Sequence, residues 1–194
     1  MQSERKRVKR MFFIHQYEKE EAFLHKMRLE GWKFINIKRG IPTTYEFEKC
    51  EPESYSYCLD YVTEEQDTES YHQLLQDAGW EELLSWPGVG GMWYYFSKKR
   101  ELGQKEELFT DHDSKEYLVN RLLVSYGLYC VLLMCLEVNG IQRMAGGLGD
   151  WSFFGVLKIV GLVLFSSCLL VLAYVEAGLF GLYLKRKKEK QQSL

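Results

Sequence analysis

The densest group of polar side chains in this sequence is "TDHDSKE", residues 110 to 116. Asp111, His112 and Asp113 carry carboxylate and imidazole groups that could together bind a divalent cation. The same segment also has the spacing of a helix start, because Asp113 stands three residues before Glu116, as in a capping box. An apolar helix follows directly, which favours the second interpretation, so we predict a helix cap here rather than a metal site.

Other residue types that could do chemistry are scattered along the chain. The four histidines lack the i, i+4 spacing that is typical of a metal site on a helix. The glycine-rich "PGVGG" lacks the Lys-Ser/Thr pair and the helix of a phosphate loop, and it predicts a hairpin turn. The five cysteines are odd in number and show no CxxC spacing, which indicates free thiols in a reducing compartment. We therefore expect no catalytic residue, no metal and no cofactor.

Charge and hydropathy divide the chain near residue 117. The residues before it carry 17 basic against 23 acidic side chains, a net charge of −6, and the remainder carries 8 against 4, or +4. The second part holds two long apolar tracts with few charges, a composition typical of transmembrane helices. The predicted segments are a cytoplasmic domain at 1–100, a linker and helix cap at 101–116, transmembrane helices at 117–138 and 151–184, an external loop at 139–150, and a basic tail at 185–194.

The distribution of Lys and Arg predicts the orientation of these two helices. The tail "KRKKEK" places five basic residues directly after the second tract, whereas the loop between the tracts offers only Arg143. Basic residues stay on the cytoplasmic side, so both termini are expected in the cytoplasm of a multi-pass cell-membrane protein. Glu176, inside the second tract, is either an ion-handling group or a carboxylate tolerated near the inner interface, and its closeness to Lys185 favours the second interpretation.

A pattern of helix, Gly-Trp and aromatic strand occurs twice before residue 100. The segment "FLHKMRLEGWKF" contains Gly31-Trp32, and "YHQLLQDAGWEEL" contains Gly79-Trp80, 48 positions later. A glycine at this place ends a helix and lets the tryptophan fold back onto the core. Each copy is interpreted as a strand-helix-strand unit. Two such units predict an α+β, ferredoxin-like βαββαβ domain, in which one four-stranded antiparallel sheet carries both helices on one face.

The face of that sheet left bare by the helices is the predicted binding surface. In the last strand Trp93 and Tyr95 alternate with Met92, Tyr94 and Phe96, so the two sets point to opposite faces. The second set is the more core-like. We therefore expect Trp93 and Tyr95 on the open face, where a protein partner, a second copy of the chain in a homodimer, or a ligand would cover them.

A second candidate surface for a protein partner is the acidic stretch from Glu64 to Glu69, with Glu64, Glu65, Asp67 and Glu69 as candidate contacts. It belongs to a longer region, residues 46 to 82, that holds twelve acidic residues and one basic residue. Negative charge repels phosphates, so direct binding of nucleic acid is not expected. The basic clusters near the two ends of the chain instead suit the anionic surface of a lipid bilayer.

The order of several segments resembles the bacterial domain-of-unknown-function family numbered 2812: "EEAFLHKMRLEGWKF", "YEFEK", "YSYCLDY", "YHQLLQDAGWEEL", "WYYFSK" and "ELFTDHDSKEYL". The resemblance covers roughly residues 8 to 121, and its most specific parts are the two Gly-Trp helix ends and "LFTDHDSK". It implies a membrane-tethered cytoplasmic module that is commonly encoded beside regulators of the PadR type. It implies no catalytic residue, because the family has none assigned.

These patterns lead to one functional hypothesis and one alternative. We expect a membrane-tethered regulatory or signalling protein, not an enzyme, whose cytoplasmic domain binds a protein partner such as a PadR-type transcription regulator. The alternative is an accessory subunit of a transporter or membrane enzyme complex, which would assemble through helices rich in small residues, among them Gly155, Gly161, Gly178 and Gly181.

Overall fold

A computed structural model describes residues 4–63, 68–100, 112–145 and 153–192. The chain forms two compact units, Met1–Leu118 and Val119–Leu194. The first unit is a mixed α+β domain, and the second consists of apolar helices. The change between them falls where the charge and hydropathy of the sequence change.

The α+β unit is built from the same four elements in the same order twice, each time strand, helix, strand, strand. In the first copy these are β1 (Arg5–Arg10), α1 (Tyr17–Leu29), β2 (Trp32–Lys38) and β3 (Thr43–Lys49). In the second copy they are β4 (Tyr55–Thr63), α2 (Thr68–Asp77), β5 (Glu81–Gly88) and β6 (Gly91–Lys99). A short 3-10 helix, Ile14–Gln16, leads into α1. The repeated unit is therefore βαββ, one strand longer than the predicted βαβ.

Each copy forms its own three-stranded sheet, in the order β1-β3-β2 (sheet 1) and β4-β6-β5 (sheet 2). All neighbouring strands are antiparallel. The structure thus differs from the predicted ferredoxin-like plan, which has a single four-stranded sheet. The physical reason is the hairpin at the end of each copy: its last strand folds back between the two strands that flank the helix, so pairing is completed within the copy.

The two copies agree in local detail at the helix ends. Gly31 and Gly79 both have positive φ, +80° and +82°, and each donates its backbone N–H to a carbonyl in the last turn of the preceding helix. Register shifts then follow at equivalent places, at Ile35 in β2 and Leu83 in β5, each three residues after the tryptophan. This offset of 48 residues matches the spacing of the Gly-Trp pairs.

The two tryptophans differ in burial. Trp80 is 5% exposed and packs with Leu75 of α2 in the core beneath that helix. Trp32 is only partly buried, and the ammonium groups of Lys6 and Lys49 lie 4.9 and 4.4 Å from its ring centroid. The prediction that both tryptophans cap the core is therefore wrong for Trp32, which makes cation–π contacts at the edge of sheet 1.

Both faces of sheet 2 are covered. Cys58, Val62, Tyr94 and Phe96 face α2, while Trp93 and Tyr95, each 2% exposed, are on the opposite face. That opposite face meets the first copy of the repeat, because α1 packs on β4 and Phe34 of β2 lies 5.8 Å from Tyr95, between ring centroids. Trp93 and Tyr95 were expected on an open face and are instead interior, since a second sheet and α1 fill the space that the four-stranded plan leaves empty.

The second unit begins at Val119, within α3 (His112–Leu122). It continues with a π-helical turn (Leu123–Gly127), α4 (Leu128–Ala145) and α5 (Phe153–Gln192). Two stretches, Tyr117–Gly140 and Val156–Glu189, are long and apolar enough to span a membrane. Helix α4 continues through residues 139–145, which the sequence had assigned to the loop. Glu176 of α5 lies close to Gly127 in the π-helical turn. A Cβ added to Gly127 would be 3.6 Å from both carboxylate oxygens of Glu176.

Candidate ligand-binding site

A partly open pocket lies in the α+β unit, against the face of sheet 2 that meets the first copy. Its cavity volume is about 60 Å³. Side chains from both copies of the repeat line it: Phe12, Phe13, Ile14, Tyr17, Glu20, Leu59, Trp86, Trp93 and Tyr95. Six of these nine residues are aromatic, and Glu20 is the acidic one.

Helix α1 positions Glu20 on its buried face. The buried residues Tyr17, Glu20, Leu24 and Met27 recur at intervals of three and four, which places them on one side of the helix. Three of these residues are the apolar anchors that hold α1 against the sheets. Because Glu20 stands between them in the series, its carboxyl group is carried into the interior and is 8% exposed.

Two tyrosine hydroxyls hold the Glu20 carboxyl group, one from each sheet. Tyr45 of β3 donates to Oε1 at 2.7 Å, and Tyr95 of β6 donates to the same oxygen at 2.6 Å. No residue in the described part of the chain donates to Oε2. Glu20 therefore joins the two copies of the repeat through one oxygen and has its second oxygen left for another contact.

Burial dominates the electrostatics of this carboxyl group. Loss of hydration raises the pKa of Glu20, and the two tyrosine hydrogen bonds only partly oppose the shift. Burial and the adjacent charge of Glu20 also raise the pKa of Tyr45 and of Tyr95, so both hydroxyls stay protonated as donors. The arrangement is a carboxyl group whose charged form is poorly stabilised by the protein alone.

Within residues 4–63, 68–100, 112–145 and 153–192, Glu20 forms no ion pair with a basic side chain. The buried guanidinium of Arg28, further along the same helix, binds Glu53 instead. Buried carboxylates in proteins are usually paired with a cation or kept protonated. A second buried carboxyl group of the domain, that of Asp60, accepts hydrogen bonds from the Tyr71 hydroxyl and the Tyr61 backbone N–H.

Two stacked indole rings form part of the pocket lining. Trp86 and Trp93 are cross-strand neighbours on β5 and β6, and their rings stack with centroids 5.9 Å apart at 20°. Arg39 lies 3.8 Å from the Trp86 ring centroid and donates to the Pro87 carbonyl at 2.6 Å. The indole nitrogen of Trp86 is buried close to the Tyr95 hydroxyl. These contacts fix the two indoles in one orientation beside the pocket.

The sequence-predicted contact residues fall in different places. Trp93 and Tyr95 reach the pocket, although as interior residues rather than as an exposed face. Glu69 is exposed in the first turn of α2, while Glu64, Glu65 and Asp67 lie outside the described residues. Asp113 and Glu116 belong to α3, which begins at His112, and their side chains lie outside the described part as well.

Two further expectations concern metals and thiols. Among the described residues there is no cluster of three or more His, Cys, Asp or Glu side chains that could hold a metal ion. All five cysteines are free, and Cys50 accepts a hydrogen bond from Arg28 at 2.8 Å. The candidate site is therefore the pocket with its single carboxyl group.

Glu20, the central residue of the site, was not among the residues predicted from the sequence. A signal was present, because Glu20 occupies an apolar position in the spacing of Tyr17, Leu24 and Met27. An acidic residue at such a position is either buried with partners or marks a break in the pattern. Its two partners, Tyr45 and Tyr95, are 25 and 75 residues away in sequence, so only the folded chain identifies them.

Comparison with known proteins gives a family but no described activity. No curated protein matches the chain, and no solved structure matches it. A family described as "Protein of unknown function (DUF2812)" matches residues 16–133, from the 3-10 helix before α1 into α4. This match covers more than half of the chain and includes Glu20, both Gly-Trp helix ends and all pocket residues from Tyr17 onward. The chain belongs to the DUF2812 family.

Proposed function

We propose that this protein is a membrane-anchored regulatory protein whose α+β domain binds a small ligand in the pocket beside Glu20. The observation that carries the proposal is the pocket itself: a partly open, aromatic cavity with a buried carboxyl group that lacks a counter-ion among the described residues. Concave, mostly apolar sites with a few fixed polar groups are the usual form of small-molecule sites. The domain acts by binding, and its apolar helices hold it at the cell membrane.

The position of the pocket supports a regulatory role. Glu20 links Tyr45 of sheet 1 with Tyr95 of sheet 2, so an occupant would touch a contact between the two copies of the repeat. A ligand shifts a protein towards the conformation to which it binds more tightly. Occupancy therefore couples to the packing of one copy against the other.

Binding of small probes to the protein, with the cavity open or blocked by a substitution, tests this proposal. Saturation-transfer NMR on the full-length protein in detergent would use three short probes: butylammonium, butan-1-ol and butyrate. We expect saturable binding of at least one probe to the unaltered protein. Ile14→Trp should abolish that binding, because the larger ring occupies the cavity, and Ile41→Trp should leave it unchanged, since Ile41 is 93% exposed and outside the pocket. Absence of saturable binding by all three probes would refute a ligand site.

The regulatory output in this proposal is a cytoplasmic protein partner, with PadR-type regulators as the implied class. The proposed surface for this partner is the exposed surface of α2, where Leu74 is 65% exposed and Glu69 is exposed in the first turn. Trp93 and Tyr95 are interior and therefore cannot form it. Affinity purification in detergent should recover a DNA-binding protein with the unaltered chain and lose it with the double variant Glu69→Lys, Leu74→Ser. Recovery of membrane subunits that the variant does not affect would favour the accessory-subunit alternative instead.

A further inference from the structure

The charge environment of the pocket is asymmetric. The side chains that face Glu20 from the neighbouring elements are Tyr45 and Tyr95, which donate hydrogen bonds, and Tyr17 one turn earlier on α1. Arg39 contacts the Trp86 ring and the Pro87 carbonyl and forms no ion pair with Glu20. A carboxylate in such surroundings attracts a positive charge and repels a negative one. Anionic ligands are therefore disfavoured.

The aromatic lining favours the same kind of ligand. The faces of Trp, Tyr and Phe rings carry negative electrostatic potential and attract cations, an effect that increases when the cation is removed from water. Rings from the segment before α1, from α1 itself and from sheet 2 surround the cavity: Phe12, Phe13, Tyr17, Trp86, Trp93 and Tyr95. An uncharged apolar ligand would gain from burial, but it would leave the Glu20 carboxyl group without a partner.

The second carboxyl oxygen of Glu20, Oε2, also suits a ligand that donates a hydrogen bond. Both tyrosine hydroxyls bind Oε1, so an N–H group in the pocket can be received by Oε2 without displacing either of them. Charge-assisted hydrogen bonds of this kind are stronger than bonds between neutral groups. A cavity of about 60 Å³ admits an ammonium head and the first carbons of its stem, but not a large ring system. The pocket is partly open, which leaves room for the rest of the stem.

We propose that the pocket binds a small organic cation, an ammonium group on a short unbranched apolar stem, with Glu20 as its counter-ion. This inference rests on the proposed function, in which the pocket is a ligand site, and adds the chemical class of the ligand. The ammonium donates to Glu20 Oε2, and the stem lies against Trp86 and Trp93 towards the opening. Binding supplies the positive charge that the buried carboxyl group lacks.

A matched set of probes and variants tests the class of ligand. Butylammonium, butan-1-ol and butyrate have similar length and differ in the charge of the head, and the amine is charged at pH 7, since its pKa is close to that of a lysine side chain. Affinities would be measured by NMR titration of the full-length protein in detergent. The variants are Glu20→Gln, which removes the charge from the pocket, and Glu30→Gln, which removes the same charge from the exposed end of α1.

We expect the unaltered protein to bind butylammonium at least about tenfold more tightly than butan-1-ol, because one good charge-assisted hydrogen bond has an effect of about this size. Butyrate should bind more weakly than both. Glu20→Gln should remove most of the preference for the amine while retaining the affinity for the alcohol. Glu30→Gln should behave as the unaltered protein does. Tryptophan emission of each variant would show that the indoles of the pocket remain packed.

The possible failures are distinguishable. Equal affinity for the amine and the alcohol, or a preference for the amine that survives Glu20→Gln, would overturn the cation proposal and leave a pocket that binds neutral ligands. If none of the three probes binds, the ligand site itself is refuted. Should Glu20→Gln not fold, the ranking of the three probes on the unaltered protein still decides the question, since a ranking other than amine first contradicts the proposal.

Discussion

Glu20 is the acidic residue in the lining of the pocket. It lies among apolar neighbours on the buried side of α1 and accepts hydrogen bonds from Tyr45 and Tyr95 through one oxygen. Burial raises its pKa, which means that the folded protein binds a proton at this site more tightly than the unfolded chain does. The charged carboxylate is thus a destabilising feature of the fold, and a residue of this kind is typical of a binding site rather than of a core.

The pH dependence of stability measures this effect. For an acid with a raised pKa, stability falls as the pH rises from the unfolded value, 4.5, to the folded value, because the unfolded chain loses its proton first. Glu20→Gln removes that loss and retains an oxygen for both tyrosines. We expect the variant to gain stability over the unaltered protein as the pH rises above about 4.5, with a small difference below it.

Urea unfolding of the full-length protein in detergent, followed by tryptophan emission at several pH values, provides the measurement. Glu30→Gln is the control, since it makes the same chemical change at an exposed carboxylate of α1. A difference between Glu20→Gln and the unaltered protein that shrinks with rising pH would show that the folded state stabilises the carboxylate.

At the scale of elements, the βαββ repeat explains how the pocket arises. Each copy ends its helix with a glycine of positive φ and begins the next strand at or just after the tryptophan. The first helix, α1, carries Glu20 and packs on β4 of the second copy. The pocket is therefore bordered by elements of both copies and could not form from either copy alone.

The two helix-ending glycines should not tolerate substitution equally. A side chain at positive φ costs about 1 to 2 kcal/mol at either position. At Gly79 the nearest atoms to an added Cβ belong to the flexible Lys98 side chain at 3.5 Å, whereas at Gly31 the backbone carbonyl oxygen of Cys50 would be 2.8 Å away. We expect Gly79→Ala to lower the free energy of unfolding by about 1 to 2 kcal/mol, and Gly31→Ala to lower it by more.

The comparison uses the same urea unfolding experiment, with both variants measured against the unaltered protein. Movement of the Cys50 carbonyl away from Gly31 would disturb the hydrogen bond that the Cys50 N–H donates to the Gly31 carbonyl, which is 3.0 Å long. Equal losses at the two positions would indicate that the backbone conformation alone sets the cost and that the close approach at Gly31 is relieved by local movement.

At the level of the whole molecule, the helical unit contains the two stretches that are long and apolar enough to span a membrane. Helix α5 has 40 residues and is about 60 Å long at 1.5 Å per residue, twice the ~30 Å hydrocarbon core of a bilayer. Its basic end therefore extends beyond the apolar region, and Arg186 there binds Glu189 at 2.8 Å. Together with the two apolar stretches, this length supports a membrane anchor with a charged helical extension.

Reporter fusions test the proposed orientation, with both termini in the cytoplasm. Alkaline phosphatase fused after Gly147 should be active, because the enzyme requires the oxidising space outside the inner membrane, and a fusion after Leu194 should be inactive. The physical reason is the excess of basic residues in the tail over the loop, five against one. Green fluorescent protein at the same two sites serves as the control and should give the reverse pattern. An active phosphatase at the tail would contradict the assignment.

Features of the chain that depend on neighbouring residues were predicted correctly from the sequence. The two Gly-Trp positions and their spacing predicted a repeat with a helix before each pair, and these helices are Tyr17–Leu29 and Thr68–Asp77. The two apolar tracts likewise predicted the helices that are long enough to span a membrane. Periodicity, helix-ending glycine and hydropathy are local properties of a sequence, so they can be identified without knowledge of the fold.

The pairing of the strands and the elements that cover each sheet face could not be predicted in this way. Alternation along β6 separates Trp93 and Tyr95 from Tyr94 and Phe96, but it does not state which set a helix covers and which a second sheet covers. That choice depends on contacts between distant parts of the chain, such as Phe34 with Tyr95. The same is true of Glu20, because its burial is produced by two sheets that meet around it and its hydroxyl partners come from both.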